Sequence, residues 1–159
     1  MTDPIPVPGL HELPFAIALR EGPILYGAME TLHLLGVALL VGPVIAFDLR
    51  VLGLGRSAPV SALARHLLPI AVTSLVLIIP SGLAMFAAHA DQLLADQSFF
   101  TKMMLIMMGG VLAVVFHTGP YRSVSAWNVD DVAPASARVI AAFSILGWIC
   151  VISLGATLR

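Results

Sequence analysis

Five ionisable side chains stand within long apolar stretches of this sequence: Glu30, His33, His66, Lys102 and His117. An ionisable side chain in hydrocarbon costs on the order of 3 kcal/mol on insertion scales, so each needs a partner, a way to the interface or a function. Imidazole can be an axial ligand to haem iron, a ligand to another metal or a proton carrier. The three histidines are therefore candidate metal ligands.

The depths of these histidines leave the choice of ligands open. Counting about 1.5 Å per helical residue places His33 roughly 14 Å below one membrane boundary. The same counting places His66 and His117 together near the other boundary. Equal depth favours a pair of His66 and His117, whereas a second haem level at His33 would accommodate all three. His66, beside Arg65, is also typical of a side chain that reaches lipid headgroups.

Other residues could support a cofactor near His33. Glu30 lies three residues earlier on the same helical face, where its carboxylate can fix the imidazole tautomer. Gly36 could leave room for a flat macrocycle or could serve helix packing. Trp148 could pack on a cofactor or inside a helix bundle. Four methionines could bind haem iron or Cu(I) through their thioether sulfurs, or could simply pack as apolar side chains: Met103, Met104, Met107 and Met108.

The composition determines which elements must position these residues. The chain has 159 residues, of which 59% are hydrophobic and 11% charged, and its mean hydropathy is +1.00. Such values are typical of a protein whose main solvent is the lipid bilayer. Apolar runs predict membrane-spanning helices at about 24–47, 61–88, 99–118 and 138–158, and an amphipathic surface helix at about 10–20. We predict an all-α four-helix membrane bundle, with residues 1–159 as one membrane domain.

The net charge argues against a nucleic-acid-binding protein, and the cysteine count excludes a disulfide within the chain. The net charge of -1 lacks the basic footprint of nucleic-acid binding. Cys150 is the one cysteine, so no disulfide can form within the chain. The acidic, Pro-rich start does not match a cleaved signal peptide, and we expect the first helix to be its own insertion signal. Arginine bias favours periplasmic termini in a bacterial inner membrane, with one side carrying Arg50, Arg56, Arg65, Arg122 and Arg138 and the other Arg20, Lys102 and Arg159.

Three stretches carry a family resemblance: METLHLLGVALLVGPVIAFDLRVLG, ARHLLPIAVTSLVLIIPSGLAMF and FFTKMMLIMMGGVLAVVFH. They resemble a bacterial membrane family catalogued as domain of unknown function 6644, over most of residues 13–120. More distantly, the order of His33, Gly42, Arg50, Gly82, Lys102 and His117 is similar to that of HemJ protoporphyrinogen oxidases and of CopD membrane domains. Ser81 and Gly82 match the S/T-G step of those families, whereas Phe99 or Phe100 stands where they have tryptophan.

The HemJ resemblance implies haem b, with His33 and Lys102 at the positions of that family's essential histidine and lysine. By these arguments the candidate cofactor-binding residues are Glu30, His33, Gly36, Arg50, His66, Lys102, His117 and Trp148. We expect a haem b protein that passes electrons to or from a redox partner protein or quinone. The alternatives are a HemJ-like oxidase of a porphyrinogen or similar substrate, a copper-handling protein of CopD type, and a structural subunit. The Gly-rich first helix and Gly109-Gly110 would also allow a homo-oligomer.

Overall fold

The structure, a computed structural model, describes residue 9 and residues 12–157. It confirms the all-α architecture: the described residues form helices and no strands. Four helical segments are long and apolar enough to cross a membrane, namely Pro23–Leu52, Val60–Ala88, Gln97–Thr118 and Ala135–Ala156. The chain is therefore a multi-pass membrane protein.

The N-terminal helix α1 comprises Pro14–Glu21, with a proline in its first turn. It buries Ala16 and Leu19 and lies against the first and second membrane-spanning segments. The predicted helix at about 10–20 is confirmed from Pro14 onward, while residues 10 and 11 lie outside the described residues. Gly22 separates α1 from the next helix, where a Cβ atom would meet the carbonyl oxygen of Ala18 at 2.6 Å.

The first membrane-spanning helix, α2, comprises Pro23–Leu52 and is longer than predicted. The sequence predicts an end at residue 47, because the charged residues Asp48 and Arg50 follow the apolar run there. Both side chains are instead buried within the fold, so the helix continues until Gly53. The φ of +113° at Gly53 is a left-handed conformation that a glycine adopts without strain.

The second membrane-spanning segment consists of two helices, α3 (Val60–Thr73) and α4 (Leu75–Ala88), where the sequence predicts one run at 61–88. They join at Ser74, which is buried and whose hydroxyl donates to the carbonyl of Ala71 at 2.7 Å. Serine hydroxyls that bond back to their own helix bend it. This bond lies at the junction.

The remaining helices are α5 (Ala90–Ala95), α6 (Gln97–Thr118) and α7 (Ala135–Thr157), with a 3₁₀ helix at Pro120–Ala126. Helix α6 begins two residues before the predicted position 99 because Asp96 caps it, accepting the Ser98 N–H at 2.7 Å. Helix α7 begins three residues before the predicted 138, and its predicted end at 158 lies outside the described residues.

Helix α2 lies at the centre of the bundle. It packs on α3 and α4 on one side and on α7 on the other, and α7 in turn packs on α6. Helices α4 and α6, in contrast, are not in close backbone contact. They meet through Phe86 and Phe99, whose rings stack with centroids 5.5 Å apart. The contact between α4 and α6 is therefore made by side chains.

The two ends of the bundle differ. One end, called here the arginine end, carries the connections at residues 53–59 and 119–134. Its hydrophobic core combines α2, α3, α6, α7 and the second connection, with Phe47, Val51, Val60, Phe116 and Trp127 among its buried members. The opposite end, called here the α5 end, carries α1 and α5.

Candidate functional site

The His33 side chain is held by helix α4. Its Nδ1 atom lies 3.2 Å from the carbonyl oxygen of Ile78 and 3.1 Å from the hydroxyl oxygen of Ser81. Ser81 is itself buried, and its hydroxyl is 2.5 Å from the carbonyl oxygen of Leu77. A half-buried histidine of α2 is thus fixed to a serine and a carbonyl of the neighbouring helix.

This hydrogen-bond network assigns the tautomer of His33. A carbonyl oxygen can only accept, so Nδ1 must carry the proton to bond with Ile78. The Ser81 hydroxyl donates its one proton to Leu77 and therefore accepts from Nδ1. In the neutral ring the lone pair is then on Nε2. Nε2 has no hydrogen-bond partner among the described residues.

Lys102 lies on the side of the bundle formed by α6 and α7. Its side chain is partly buried, and its Nζ atom would be 3.6 Å from a Cβ placed on Gly155. Its ammonium is close enough to the His33 ring for an electrostatic interaction. The structure therefore brings together His33 and Lys102, which the sequence places in different helices.

Two glycines shape the surroundings of His33 in different ways. A Cβ atom on Gly82 would lie 3.1 Å from Cε1 and 3.4 Å from Nδ1 of His33, so the missing side chain lets the ring pack closely against α4. A Cβ on Gly36 would lie 2.7 Å from Cγ1 of Ile78 and 3.2 Å from Cβ of Leu77. Gly36 is therefore covered by α4. It serves close helix packing, the second of the two uses considered for it, and leaves no open surface for a macrocycle.

Glu30 does not orient His33 in the way its spacing indicated, because the bonds of Nδ1 go to Ile78 and Ser81. Glu30 is instead near enough to Tyr26, one turn earlier, for an electrostatic interaction. The Tyr26 ring contacts the His89 ring edge-on, with centroids 5.3 Å apart. These polar groups lie between His33 and the α5 end, so a charged or polar molecule approaching from that end meets them first.

His66 and His117 are placed differently from His33. Both side chains are exposed on the outside of the bundle. Each bonds through Nδ1 to a carbonyl of its own helix, His66 to Ala62 at 2.7 Å and His117 to Ala113 at 2.8 Å. The ring of His117 also contacts Tyr121, with centroids 5.3 Å apart. Neither ring is held by a neighbouring membrane-spanning helix as His33 is.

Arg50 lies at the arginine end, far from His33 and Lys102. It is 2% exposed, and its guanidinium donates to the carbonyl oxygens of Ala58 at 2.7 Å, Arg56 at 2.9 Å and Asn128 at 3.1 Å. These bonds tie the connection at 53–59 to the connection at 119–134. The structure thus gives Arg50 a bracing role between loops at a distance from the other candidate residues.

Trp148 lies on α7, and the four methionines lie on α6. Trp148 packs on α6 at Gly109, where a Cβ would lie 3.4 Å from its ring. The methionines face outward, with Met104 72% and Met107 69% exposed. Within the part of the chain that the structure describes, no three His, Cys, Asp or Glu side chains come together as a metal-binding group. The methionine face of α6 is therefore on the outside of the bundle that the structure describes.

Sequence reasoning missed Asp48. The end of the apolar run predicts a hydrated Asp48 just beyond the first span, but Asp48 is 7% exposed and its Oδ2 atom has no hydrogen-bond partner. Its side chain bonds to Ser144 of α7. One sequence signal could have identified Asp48. The residues around Asp48 and Arg50 are apolar, so the first helix could be predicted to continue past both charges.

The comparisons with known proteins agree with the resemblance over a longer stretch. A family model described as "Family of unknown function (DUF6644)" matches residues 17–159. The chain therefore belongs to this family. No curated protein and no solved structure matches it significantly.

Proposed function

We propose that this member of the DUF6644 family is a haem b-binding membrane protein that transfers electrons, in which Nε2 of His33 would bind the iron. Lys102 would pair with a haem propionate. The observation that carries the proposal is the fixed tautomer of His33: Ile78 and Ser81 hold the Nδ1 proton, which leaves the Nε2 lone pair available beside a lysine ammonium.

The donor groups fit haem b. Ligating histidines commonly donate their second ring N–H to a carbonyl or a polar side chain, which fixes the ring and raises its basicity as a ligand. The contacts of His33 with Ile78 and Ser81 follow that pattern. A propionate in a membrane requires a cation, and Lys102 is the cation within electrostatic range of His33. When bound, haem b supplies a one-electron redox centre.

A planar group bound to this chain would lie beside Nε2 of His33, which has no hydrogen-bond partner among the described residues. Helices α4 and α6 have few close backbone contacts. The role of the chain is to hold the imidazole, to neutralise an acidic substituent through Lys102 and to exclude bulk water with apolar helices.

We place the protein in a bacterial inner membrane with both termini on the periplasmic side. The arginine end carries four exposed arginines, Arg56, Arg65, Arg122 and Arg138. Positive residues accumulate on the cytoplasmic side of such proteins. His33 and Lys102 would then lie in the periplasmic half, where they could exchange electrons with a quinone in the bilayer or with a periplasmic redox protein.

The test is haem titration of the purified full chain in detergent, followed by the Soret band. The wild-type protein is expected to bind haem and give a Soret band, and H33A is expected to lose it. H66A is the matched control, because His66 is an exposed histidine bonded only within its own helix. It should retain the wild-type spectrum.

The lysine is tested in the same titration. K102M is expected to weaken haem affinity by about tenfold, the effect of losing about 1.4 kcal/mol of charge pairing. The position of the Soret maximum should not change, because the iron ligand is retained. A wild-type protein that takes up no haem, or an H33A spectrum equal to that of H66A, would refute the proposal.

The pairing of His33 with Lys102 also favours a second candidate, oxidation of a porphyrinogen or similar acidic hydrophobic substrate, in which Lys102 would bind the acidic group. Complementation of a strain that lacks protoporphyrinogen oxidase separates the two. Rescue by the wild-type gene but not by K102M would support the oxidase, and failure to rescue by a well-expressed wild-type protein would count against it.

A further inference from the structure

A buried carboxyl group lies in the arginine half of the bundle, about 20 Å along α2 from His33 at 1.5 Å per residue. Asp48 is covered on the arginine side by the hydrophobic core of that end, which includes Phe47 and Val51 of its own helix. One of its oxygens, Oδ2, is buried without a hydrogen-bond partner. Buried polar atoms in native proteins are normally paired, so an orphan oxygen of this kind calls for an explanation.

The one side-chain partner of Asp48 connects it to a crevice. Ser144 of α7 bonds to the carboxyl group and also lines a narrow crevice between α6 and α7, beside Gly109, Gly147 and Trp148. The crevice has about 10 Å³ of space for a water-sized molecule, close to what one water requires. A hydroxyl group can both donate and accept, so Ser144 can remain bonded to Asp48 whether or not the acid carries a proton.

No cation neutralises Asp48 within the described residues. Arg50, two residues further along α2, donates to three carbonyl groups of the connections. The other ionisable groups of the helices at this end are Arg65 and His66 of α3, His117 of α6 and Arg138 of α7, and all four are exposed. In the two connections, Arg56, Arg122, Asp130 and Asp131 are exposed and Tyr121 is partly exposed. None of them forms a hydrogen bond or ion pair with Asp48. A carboxylate in this position would be a buried charge without a counter-ion, which proteins avoid.

We propose that Asp48 and Ser144 form a proton-binding site inside the membrane-spanning bundle, in which Asp48 is a neutral carboxylic acid at neutral pH. The proton is exchanged with water through the Ser144 hydroxyl and the crevice between α6 and α7. Loss of the proton breaks the acid O–H bond, leaves the carboxylate and transfers the proton to water. Binding reverses these changes. This site does not depend on the proposed haem, which lies in the other half of the bundle.

The experiment is infrared spectroscopy of the purified full chain in detergent, with difference spectra between neutral and alkaline pH. Exposed carboxyl groups are ionised at neutral pH, so a carboxylic-acid carbonyl band there reports a buried acid. The wild-type protein is expected to show this band, and D48N, which keeps the side-chain shape but cannot ionise, is expected to lose it. S144A should retain the band at a shifted frequency, because one hydrogen bond to the carbonyl is removed.

D130N is the matched control, since Asp130 is exposed and its φ of +53° is one that asparagine tolerates. It should leave the band unchanged. A wild-type protein without an acid band at neutral pH would overturn the proposal, as would a D48N spectrum that retains the band. If D48N does not accumulate as a folded protein, S144A decides: a shifted band supports the proposal, and an unshifted band overturns it.

Discussion

The contact between α2 and α4 at Gly36 should be intolerant of a single added methyl group. A Cβ at this position would lie 2.7 Å from Cγ1 of Ile78, 3.2 Å from Cβ of Leu77 and 3.3 Å from the backbone nitrogen of Ile78. The Ile78 side chain can rotate away, but the other two atoms move only with the backbone of α4. The G36A substitution therefore has to displace α4 by a few tenths of an ångström.

Such overpacking typically costs about 1–3 kcal/mol, and we expect G36A to lower the free energy of unfolding by this amount. The displacement also affects His33, which lies one turn before Gly36 and faces the same helix. Its bonds of 3.2 Å to Ile78 and 3.1 Å to Ser81 are already at the long end of the range. We therefore expect G36A to weaken haem binding as well.

Gly42 provides the matched control on the same helix. A Cβ there would meet nothing within 4 Å, and alanine is a better helix former than glycine by up to about 1 kcal/mol. Unfolding of both variants in mixed micelles of mild detergent and dodecyl sulfate, followed by circular dichroism, gives the two free energies. G42A should be neutral or slightly stabilised. Equal stability of G36A and G42A would refute the packing described between α2 and α4.

Two further substitutions test the loops and the support of the histidine. R50K should lower the free energy of unfolding by about 1.5–3 kcal/mol, because lysine cannot donate hydrogen bonds to all three carbonyls at once. Proteolysis in the connections at 53–59 and 119–134 should also become faster. R65K, at an exposed arginine, should change neither the stability nor the rate of proteolysis. S81A removes a hydrogen-bond acceptor for Nδ1 of His33, which is worth about 1 kcal/mol. It should therefore weaken haem affinity about fivefold in the haem titration. S153A is the control and should leave the affinity unchanged, because the exposed Ser153 hydroxyl bonds only to Ile149 of its own helix.

Much of the fold could be predicted from the sequence, because hydrocarbon imposes simple rules on length and polarity. Runs of about 20 apolar residues can cross a membrane only as helices. The positions of all four spans were correct to within a few residues, except for the late end of α2. The same rules predict nothing about which helices pack closely, so the packing of α2 on α3, α4 and α7 required the structure.

The failures at Asp48 and Arg50 have a common physical cause. A charged residue usually marks the end of a membrane span because its hydration is lost in lipid. Arg50 recovers that loss from three backbone carbonyls that come from connections 6 to 78 residues away in sequence. Asp48 is shielded by the core of the same end. Neither compensation leaves a local pattern in the sequence.

Local spacing was a poor guide to the surroundings of His33. The joint role of His33 and Lys102 that the HemJ resemblance implies stays a prediction, and in the structure the two side chains are within electrostatic range. The spacing of Glu30 and His33 predicted a bond along one helix, but the partner of His33 is Ser81, 48 residues away on α4. Helical periodicity predicts which residues share a face and does not specify which neighbouring helix covers that face.

We propose that Nε2 of His33 binds haem iron. Replacement of the His33 side chain by free imidazole tests this most directly. H33G mixed with haem should lack the wild-type Soret band, and added imidazole should restore that band by entering the space that the side chain vacated. An H33G protein whose spectrum already equals that of the wild type, and does not respond to imidazole, would contradict the account.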